Sequence, residues 1–363
     1  MKVLILAGGF GTRLSEYTES VPKPMVTIGG KPILWHIMRT YGKYNHIDFH
    51  LALGYKGDVI KDYFLNYKSL NSDFTIDLNT GELISHQAYN ENWRVTLVDT
   101  GVNSMTGGRV KRMKNFIGNE KFLVFLGDNI LKDSIAEYVK EFIKSDADAS
   151  IVLCEVENPT RFGIADVKDG KIIKIVEKPK EPPTNLAVIG IYLLTPKIFD
   201  IIDRLKPSWR NELEITDALQ MLLEEGNKMG YYMITDYWKD TGTPNDIIHA
   251  NKVILEDMRP YFEGTKEEGV IIEGNLMVGK NSLIKKGTKI IGPVIIGENC
   301  IIGPDVTIGK NTSIGNNSII SKCHIEDSII MNGCKIESEI KIKNSIIAFN
   351  SEIKQSYSEH KIF

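Results

Sequence analysis

The chain has 363 residues, 42% hydrophobic and 25% charged, with a formal net charge of −3 and four cysteines. That length exceeds one ordinary core and divides naturally in two. The slight acidity excludes the basic footprint of a nucleic-acid binder, and no apolar run reaches the length of a signal peptide or membrane span.

The first apolar run, Val3–Leu6, predicts a buried strand. It leads into Leu6-Ala7-Gly8-Gly9-Phe10-Gly11-Thr12-Arg13-Leu14 and then Pro22-Lys23-Pro24-Met25. The glycines let backbone N–H groups approach phosphate oxygens, while Arg13 and Lys23 supply positive charge, so the segment reads as a triphosphate loop. It is not a dinucleotide fingerprint, because Leu14 stands where a third glycine is needed, and it lacks the Gly-Lys-Ser/Thr of a Walker loop. Helical spacing at Ile33–Tyr44, Asp58–Tyr67 and Ser134–Lys144 alternates with the apolar runs Phe49–Leu53, Phe122–Leu126 and Ser150–Val156. These runs read as parallel strands of a doubly wound α/β sheet, whose ligands sit beyond the carboxyl ends of the strands. Phe74–His86 and Ile164–Val176 read as hairpins around Asn79-Thr80-Gly81 and Asp169-Gly170.

Between these elements lie the candidates for chemistry. In the basic stretch Arg109–Lys114, residues Lys111, Arg112 and Lys114 fit a solvated helix face, whereas Arg109 is expected in the first helical turn, pointing toward the loop side. Asp128 ends an apolar run in Gly127-Asp128-Asn129, where a carboxylate can take Mg2+; an N-cap for the segment from Lys132 is its competing role. Asp240, in Trp238–Thr243, is a second candidate, although Asp-Thr-Gly-Thr-Pro also reads as a helix start. Glu177-Lys178 alone reads as a solvated pair, and Gly163 leaves room for close approach of a ring. The seven histidines show no metal-ligand spacing, and His36 is expected in the core. The cysteines Cys154, Cys300, Cys323 and Cys334 lack zinc-ligand spacing and read as reduced thiols of a cytoplasmic protein.

From Ile272 an aliphatic residue recurs at every sixth position through Val278, Ile284, Ile290, Ile296, Ile302, Ile308, Ile314 and Ile320. A small or β-branched residue follows four places on at Ser282, Thr288, Val294, Cys300, Val306, Thr312 and Ser318. Period six predicts a parallel β-helix with these residues inside a triangular prism. The register slips after Ile320, returns at Ile330, Ile336 and Ile342, and then fades. The expected domains are therefore 1–258, a linker at 259–269, the repeats at 270–354 and a tail at 355–363.

The loop Leu6–Leu14 with Lys23 resembles the signature of the sugar-1-phosphate nucleotidylyltransferases, which join a nucleoside triphosphate to a hexose 1-phosphate and release pyrophosphate. The resemblance implies a mainly parallel, nucleotide-diphospho-sugar transferase-like α/β domain followed by a left-handed parallel β-helix. It implies that Arg13, Lys23 and Asp128 carry catalysis, with Asp128 and Asp240 holding Mg2+. Leu6, Gly8, Gly9, Gly11, Thr12, Ser104 and Arg109 would bind the nucleotide, and Gly163, Glu177, Lys178 and Gly190 the sugar phosphate.

Residues 1–121 resemble glucose-1-phosphate cytidylyltransferases through Gly29–Met38, Thr96–Gly101 and Ser104–Arg109. Residues 122–363 resemble the long form of glucose-1-phosphate thymidylyltransferase through Leu126–Leu131, Glu155–Gly163 and the hexads. The pattern fits a natural or an engineered hybrid. The first half sets the expectation of CTP and glucose 1-phosphate as substrates: Arg109 would donate to the acceptor edge of cytosine, whereas thymine offers an N3–H that guanidinium cannot accept. The alternatives are a dTTP-using enzyme, a bifunctional enzyme whose β-helix acetylates with His324 as base, and a non-catalytic assembly subunit. A homo-oligomer, trimeric or a dimer of trimers, is expected through the β-helix, with neither nucleic acid nor membrane as partner.

Overall fold

The computed structural model describes residues 1–11, 21–86, 91–132, 135–208 and 212–358. The chain forms two compact units: Met1–Phe10, Pro22–Pro24 and His36–Trp238 make the first, and Gly11–Val21, Met25–Trp35 and Lys239–Phe363 the second.

The first unit is built on a nine-stranded sheet: β1 (Lys2–Ala7), β2 (Asp48–Leu53), β3 (Arg94–Asp99), β4 (Phe122–Leu126), β5 (Ala149–Glu155), β6 (Gly163–Lys168), β7 (Lys171–Glu177), β8 (Leu186–Leu194) and β9 (Met229–Met233). The main path runs β7-β6-β8-β4-β1-β2-β3, with β5 paired to β8 and β9. Strands β4, β1 and β2 are mutually parallel, as expected, and β3, which no apolar run announced, extends the parallel order beside β2. The expectation for Ser150–Val156 holds on one side only: β5 is parallel to β9 but antiparallel to β8. The reason is that β8 also runs antiparallel to β4, which reverses the sheet direction locally. Both hairpins form, at 74–85 and as β6–β7.

Helices α1 (Ile33–Gly42), α2 (Gly57–Leu65), α3 (Met105–Arg112) and α4 (Ala136–Lys144) alternate with β1 to β5, whereas α5 (Lys197–Arg204) and α6 (Ile215–Glu224) follow each other between β8 and β9. Val110 of α3, Phe199 and Ile202 of α5 and Leu219 and Leu222 of α6 pack with Leu4, Phe122, Val124 and Ile151 of the sheet. Phe122 and Phe199 stack with ring centroids 5.4 Å apart. His36 is half-buried rather than in the core.

In the second unit the hexads stack as expected. Ile272 pairs with Ile290 and then Ile308, Val278 with Ile296 and Ile314, and Ile284 with Ile302 and Ile320, eighteen residues per coil in three columns. From Val278 to Ile320 these ladder residues are at most 2% exposed, and the small residues four places on are buried with them. The corners turn at Asn281, Asn299 and Asn317, each with φ between 55° and 59°, a region that Asn tolerates. The slip after Ile320 is a shortening of the coil: Ile314 pairs with Ile330 and Ile308 with Ile325.

Two expected boundaries shift. Tyr261–Phe262 and Thr265–Lys266 already pair with the first coils, so the segment expected as a linker begins the prism. At the far end the repeat does not fade at Ile342. Ile347 and Ile353 stay inside, and Tyr357–Ser358 pairs with Ile342–Lys343 in the expected tail.

Helix α7 (Pro244–Glu256), expected in the first domain, groups with the coil. Its start is a capping box in which Thr243 and Asp246 exchange hydrogen bonds, a feature that stabilises a helix by about 1 kcal/mol. Leu255 and Met258 pack on the outward-facing Met277 and Ile295 of the coil. The fully buried Asn251 accepts from Gly29 N (2.9 Å) and Ser313 Oγ (2.6 Å) and donates to the Asn311 carbonyl (3.1 Å). That one amide ties α7, the turn at Gly29 and the coil together.

Candidate active site

The parallel strands β4, β1, β2 and β3 end side by side at Leu126, Ala7, Leu53 and Asp99, and the segments beyond them converge. Gly127 N donates to the Leu6 carbonyl at 3.0 Å. A Cβ at Gly127 would lie 2.9 Å from that oxygen and 3.4 Å from the Pro24 ring, so only glycine lets the turn approach β1 this closely. The turn delivers Asp128 to Lys23, whose Nζ donates to Asp128 Oδ2 at 2.6 Å. Lys23 is largely buried and Asp128 about one-third exposed, so the pair is open from the carboxylate side. A charge-assisted bond of this length fixes both side chains. A strand, Asn129–Leu131, follows Asp128 directly, so Asp128 is not a helix cap.

A second group forms where β6, β7 and the start of α6 meet. Gly163 lies opposite Glu177 in the ladder. Glu177 Oε2 accepts from Thr216 Oγ1 at 2.9 Å, while Oε1 lies 3.2 Å from Lys178 Nζ. Gly163 is needed here, since a Cβ would stand 2.9 Å from the Thr216 methyl and 3.0 Å from Glu177 Oε2. Lys178 adopts φ = +42°, which is uncommon for a residue with a side chain and turns it out of the strand. Glu214 is buried and accepts from Thr106 Oγ1, which in turn accepts from Ile215 N.

The two groups surround one residue. Burial pushes the Tyr192 hydroxyl well above the usual tyrosine range, and Glu177, Glu214 and Asp128 push it further. The Asp217 carboxyl is likewise held above the usual range by burial and then by Glu177. Sequence reading missed Thr106, Tyr192, Glu214, Thr216 and Asp217. The run Glu214-Ile215-Thr216-Asp217 carried a signal, but one shared with any polar helix start.

Other expected residues have different surroundings. Gly190, at φ = +76°, is required by packing: a Cβ would meet Leu126 Cδ1 at 2.4 Å and Asn129 Nδ2 at 2.9 Å. Asn129 Nδ2 donates to the neighbouring Ile189 carbonyl at 2.5 Å. Ser104 Oγ turns back to donate to the Thr100 carbonyl. Arg109, expected at a base edge, is 4% exposed and donates to the carbonyls of Leu53, Gly101, Gly8 and Val102 and to Thr100 Oγ1. Four of these five hydrogen bonds end on the protein's own backbone. Thr12 and Arg13 lie outside the described residues. Asp240 belongs to the second unit, where it ends the strand Trp238–Asp240; the cap of α7 falls to Thr243 instead.

Among the described residues no three His, Cys, Asp or Glu side chains form a preformed metal cage. Mg2+ does not require one: it keeps waters and is bound through one or two carboxylates plus substrate phosphates. The part-exposed carboxylate of Asp128 at a strand end fits that mode.

The family model described as nucleotidyl transferase matches residues 2–257, and that of the GMPPB C-terminal domain matches residues 290–359. The chain is 35% identical to the low-salt glycan biosynthesis nucleotidyltransferase Agl11 of Haloferax volcanii, over 97% of this chain and 94% of that one. It is 31% identical to glucose-1-phosphate thymidylyltransferase of Streptomyces antibioticus, over 98% and 94% of the two chains. It is 38% identical to glucose-1-phosphate cytidylyltransferase of Salmonella typhimurium over 270 residues, 74% of this chain and 97% of that one. Both kinds of relative align across residue 121, so the two resemblances overlap along the chain.

Proposed function

The chain belongs to the nucleotidyl transferase family and is a sugar-1-phosphate nucleotidyltransferase, and from that premise we propose that it converts CTP and glucose 1-phosphate into CDP-glucose and pyrophosphate. The observation that carries the reading is the Lys23–Asp128 pair, set at the carboxyl ends of the parallel strands beside Gly8 and Gly9.

A phosphate oxygen of the sugar attacks the α-phosphorus, the bond to the bridging oxygen breaks, and pyrophosphate leaves with its electron pair. The protein's part is positioning and charge stabilisation. Backbone N–H groups at Gly8 and Gly9 bind phosphate oxygens, and Lys23 neutralises charge that spreads during transfer. Glu177, held by Thr216, accepts from sugar hydroxyls, and Lys178 takes the sugar phosphate. Asp128 would hold magnesium; when bound, the ion stabilises the phosphate charge.

CTP is supported by the alignment along nearly the whole cytidylyltransferase. The thymidylyltransferase alignment, which also spans the coil, favours dTTP as the second reading. Specificity constants for CTP and dTTP, measured side by side by pyrophosphate release, decide between them: the account expects CTP to be preferred, and a dTTP preference overturns it.

The coil is proposed to be left-handed and to assemble copies of the chain into a trimer or a pair of trimers. Leu283, Ile301 and Ile319 stack in register in one column with part-exposed side chains, the apolar ladder such an interface needs. Sedimentation of Ile319→Lys should show a smaller species than the parent.

A further inference from the structure

We propose that Arg109 is a positioning residue for nucleotidylyl transfer: it acts through backbone carbonyls to preset the phosphate-binding loop and does not contact the base. The inference rests on the transferase reading above and assigns a role to a buried cation which that reading leaves without one.

Arg109 Nη2 donates to the Gly8 carbonyl (2.6 Å) and to the Val102 carbonyl (2.9 Å). Nη1 donates to the Leu53 carbonyl (3.0 Å), Thr100 Oγ1 (2.8 Å) and the Gly101 carbonyl (2.7 Å). One guanidinium therefore joins the chain segments leaving three neighbouring parallel strands, β1, β2 and β3. Two glycines make the space. A Cβ at Gly8 would stand 2.3 Å from Nη1, and one at Gly54 2.4 Å from the same atom. A planar trans peptide points its C=O and N–H in opposite directions. Holding the Gly8 carbonyl on the guanidinium therefore aims the Gly9 N–H away from it. On that other side Gly9 is exposed, and a Cβ there would meet nothing within 4 Å. The amide is thus turned outward, where an incoming phosphate can accept from it, before any ligand arrives.

Charge points the same way. All five hydrogen bonds of Arg109 end on neutral acceptors. Burial works against its positive charge, as does Arg112, while the exposed Asp99 favours it. A carboxylate bonded to the guanidinium would cancel its field; neutral acceptors leave the field directed at the loop, where a polyanion completes it. A buried cation held this way costs reorganisation at folding, not at the moment of reaction.

The experiment compares the full chain with Arg109→Lys, and with Thr100→Val, which removes one acceptor and keeps the charge. Each is assayed for kcat/KM with CTP and dTTP, for tripolyphosphate affinity by calorimetry, and for melting temperature, at a temperature where all are folded. Lysine cannot bridge three segments, so Arg109→Lys should lose about tenfold to a hundredfold in kcat/KM for both nucleotides alike, with tripolyphosphate affinity falling in parallel. Thr100→Val should show a smaller loss of the same pattern. A changed ratio of CTP to dTTP with unchanged tripolyphosphate affinity would make Arg109 a base reader and overturn the proposal. Wild-type tripolyphosphate affinity in a folded Arg109→Lys would reduce it to a structural residue and overturn it equally. If the parent binds tripolyphosphate but turns over no nucleotide, the transferase reading fails while the loop comparison still stands.

Discussion

The two units solve the problem of burial in opposite ways. In the coil, each inward residue meets its counterpart one turn away, Ile284 on Ile302 on Ile320, and the same small event is repeated. In the α/β unit, the contacts that define the site join residues about a hundred positions apart: Lys23 to Asp128, Arg109 to Gly8, Thr106 to Glu214. Repetition makes a scaffold whose stability is a sum of neighbour terms. Convergence of distant strand ends gathers opposite charges and glycine-backed amides at one place, and chemistry needs that.

The comparison breaks most visibly if the coil is removed. Deleting residues 265–363 takes away two of the three partners of Asn251 and the coil residues packed on Leu255 and Met258, so the cut is not clean at the end of α7. The truncated chain should keep measurable transfer but melt markedly lower and lose solubility, because buried amide groups and apolar side chains become exposed. A truncated chain with unchanged melting temperature would mean that α7 does not depend on the coil. Ile302→Ala is gentler. It removes a fully buried side chain from the ladder and should cost about 2–5 kcal/mol of coil stability, seen in denaturant unfolding, while kcat stays as in the parent.

The smallest effect is chemical. Burial pushes the Cys323 thiol up to about 12 and that of Cys334 up to about 11, from an ordinary value of 9.0. Both stay protonated and inert to alkylation at pH 8 until the coil unfolds. Because their folded values are raised, the stability they contribute is full below pH 9 and is lost as pH rises toward about 12. Rapid alkylation of the native protein at pH 8 would contradict the packing of these turns.

The coil was legible because its period is written in side-chain type, and one residue class at every sixth position admits one reading. Only its ends were misplaced: Tyr261–Phe262 lacks the hexad signal, and coils of sixteen or seventeen residues break the strict count. Three strands of the parallel core were legible from apolar runs, and Asp128 from its place at the end of one of them, whereas β3, with its part-exposed side chains, was not. The antiparallel pairing of β5 with β8 was not, because a fully buried strand carries no mark of direction. Arg109 shows the limit most plainly. A helix there was readable, but Arg109 lies in its last turn rather than its first, and its partners are chiefly main-chain carbonyls, a group every residue carries, so no sequence pattern could name them. Thr216 escaped for a related reason: its bond to Glu177 exists only once α6 is laid against the β6–β7 hairpin.

The central claim, that nucleotidylyl transfer runs on Lys23 and Asp128 as one unit at the strand ends, is tested most directly by a double-mutant cycle of Lys23→Met and Asp128→Ala. Pyrophosphate release from CTP and glucose 1-phosphate with magnesium would be measured on the parent, both single variants and the double variant. Each single change should lower turnover by about a thousandfold with the fold intact, and the double variant should be little worse than either one, as residues acting together are strongly non-additive. Near-parent turnover in folded Asp128→Ala, or losses that simply multiply in the double variant, would contradict it.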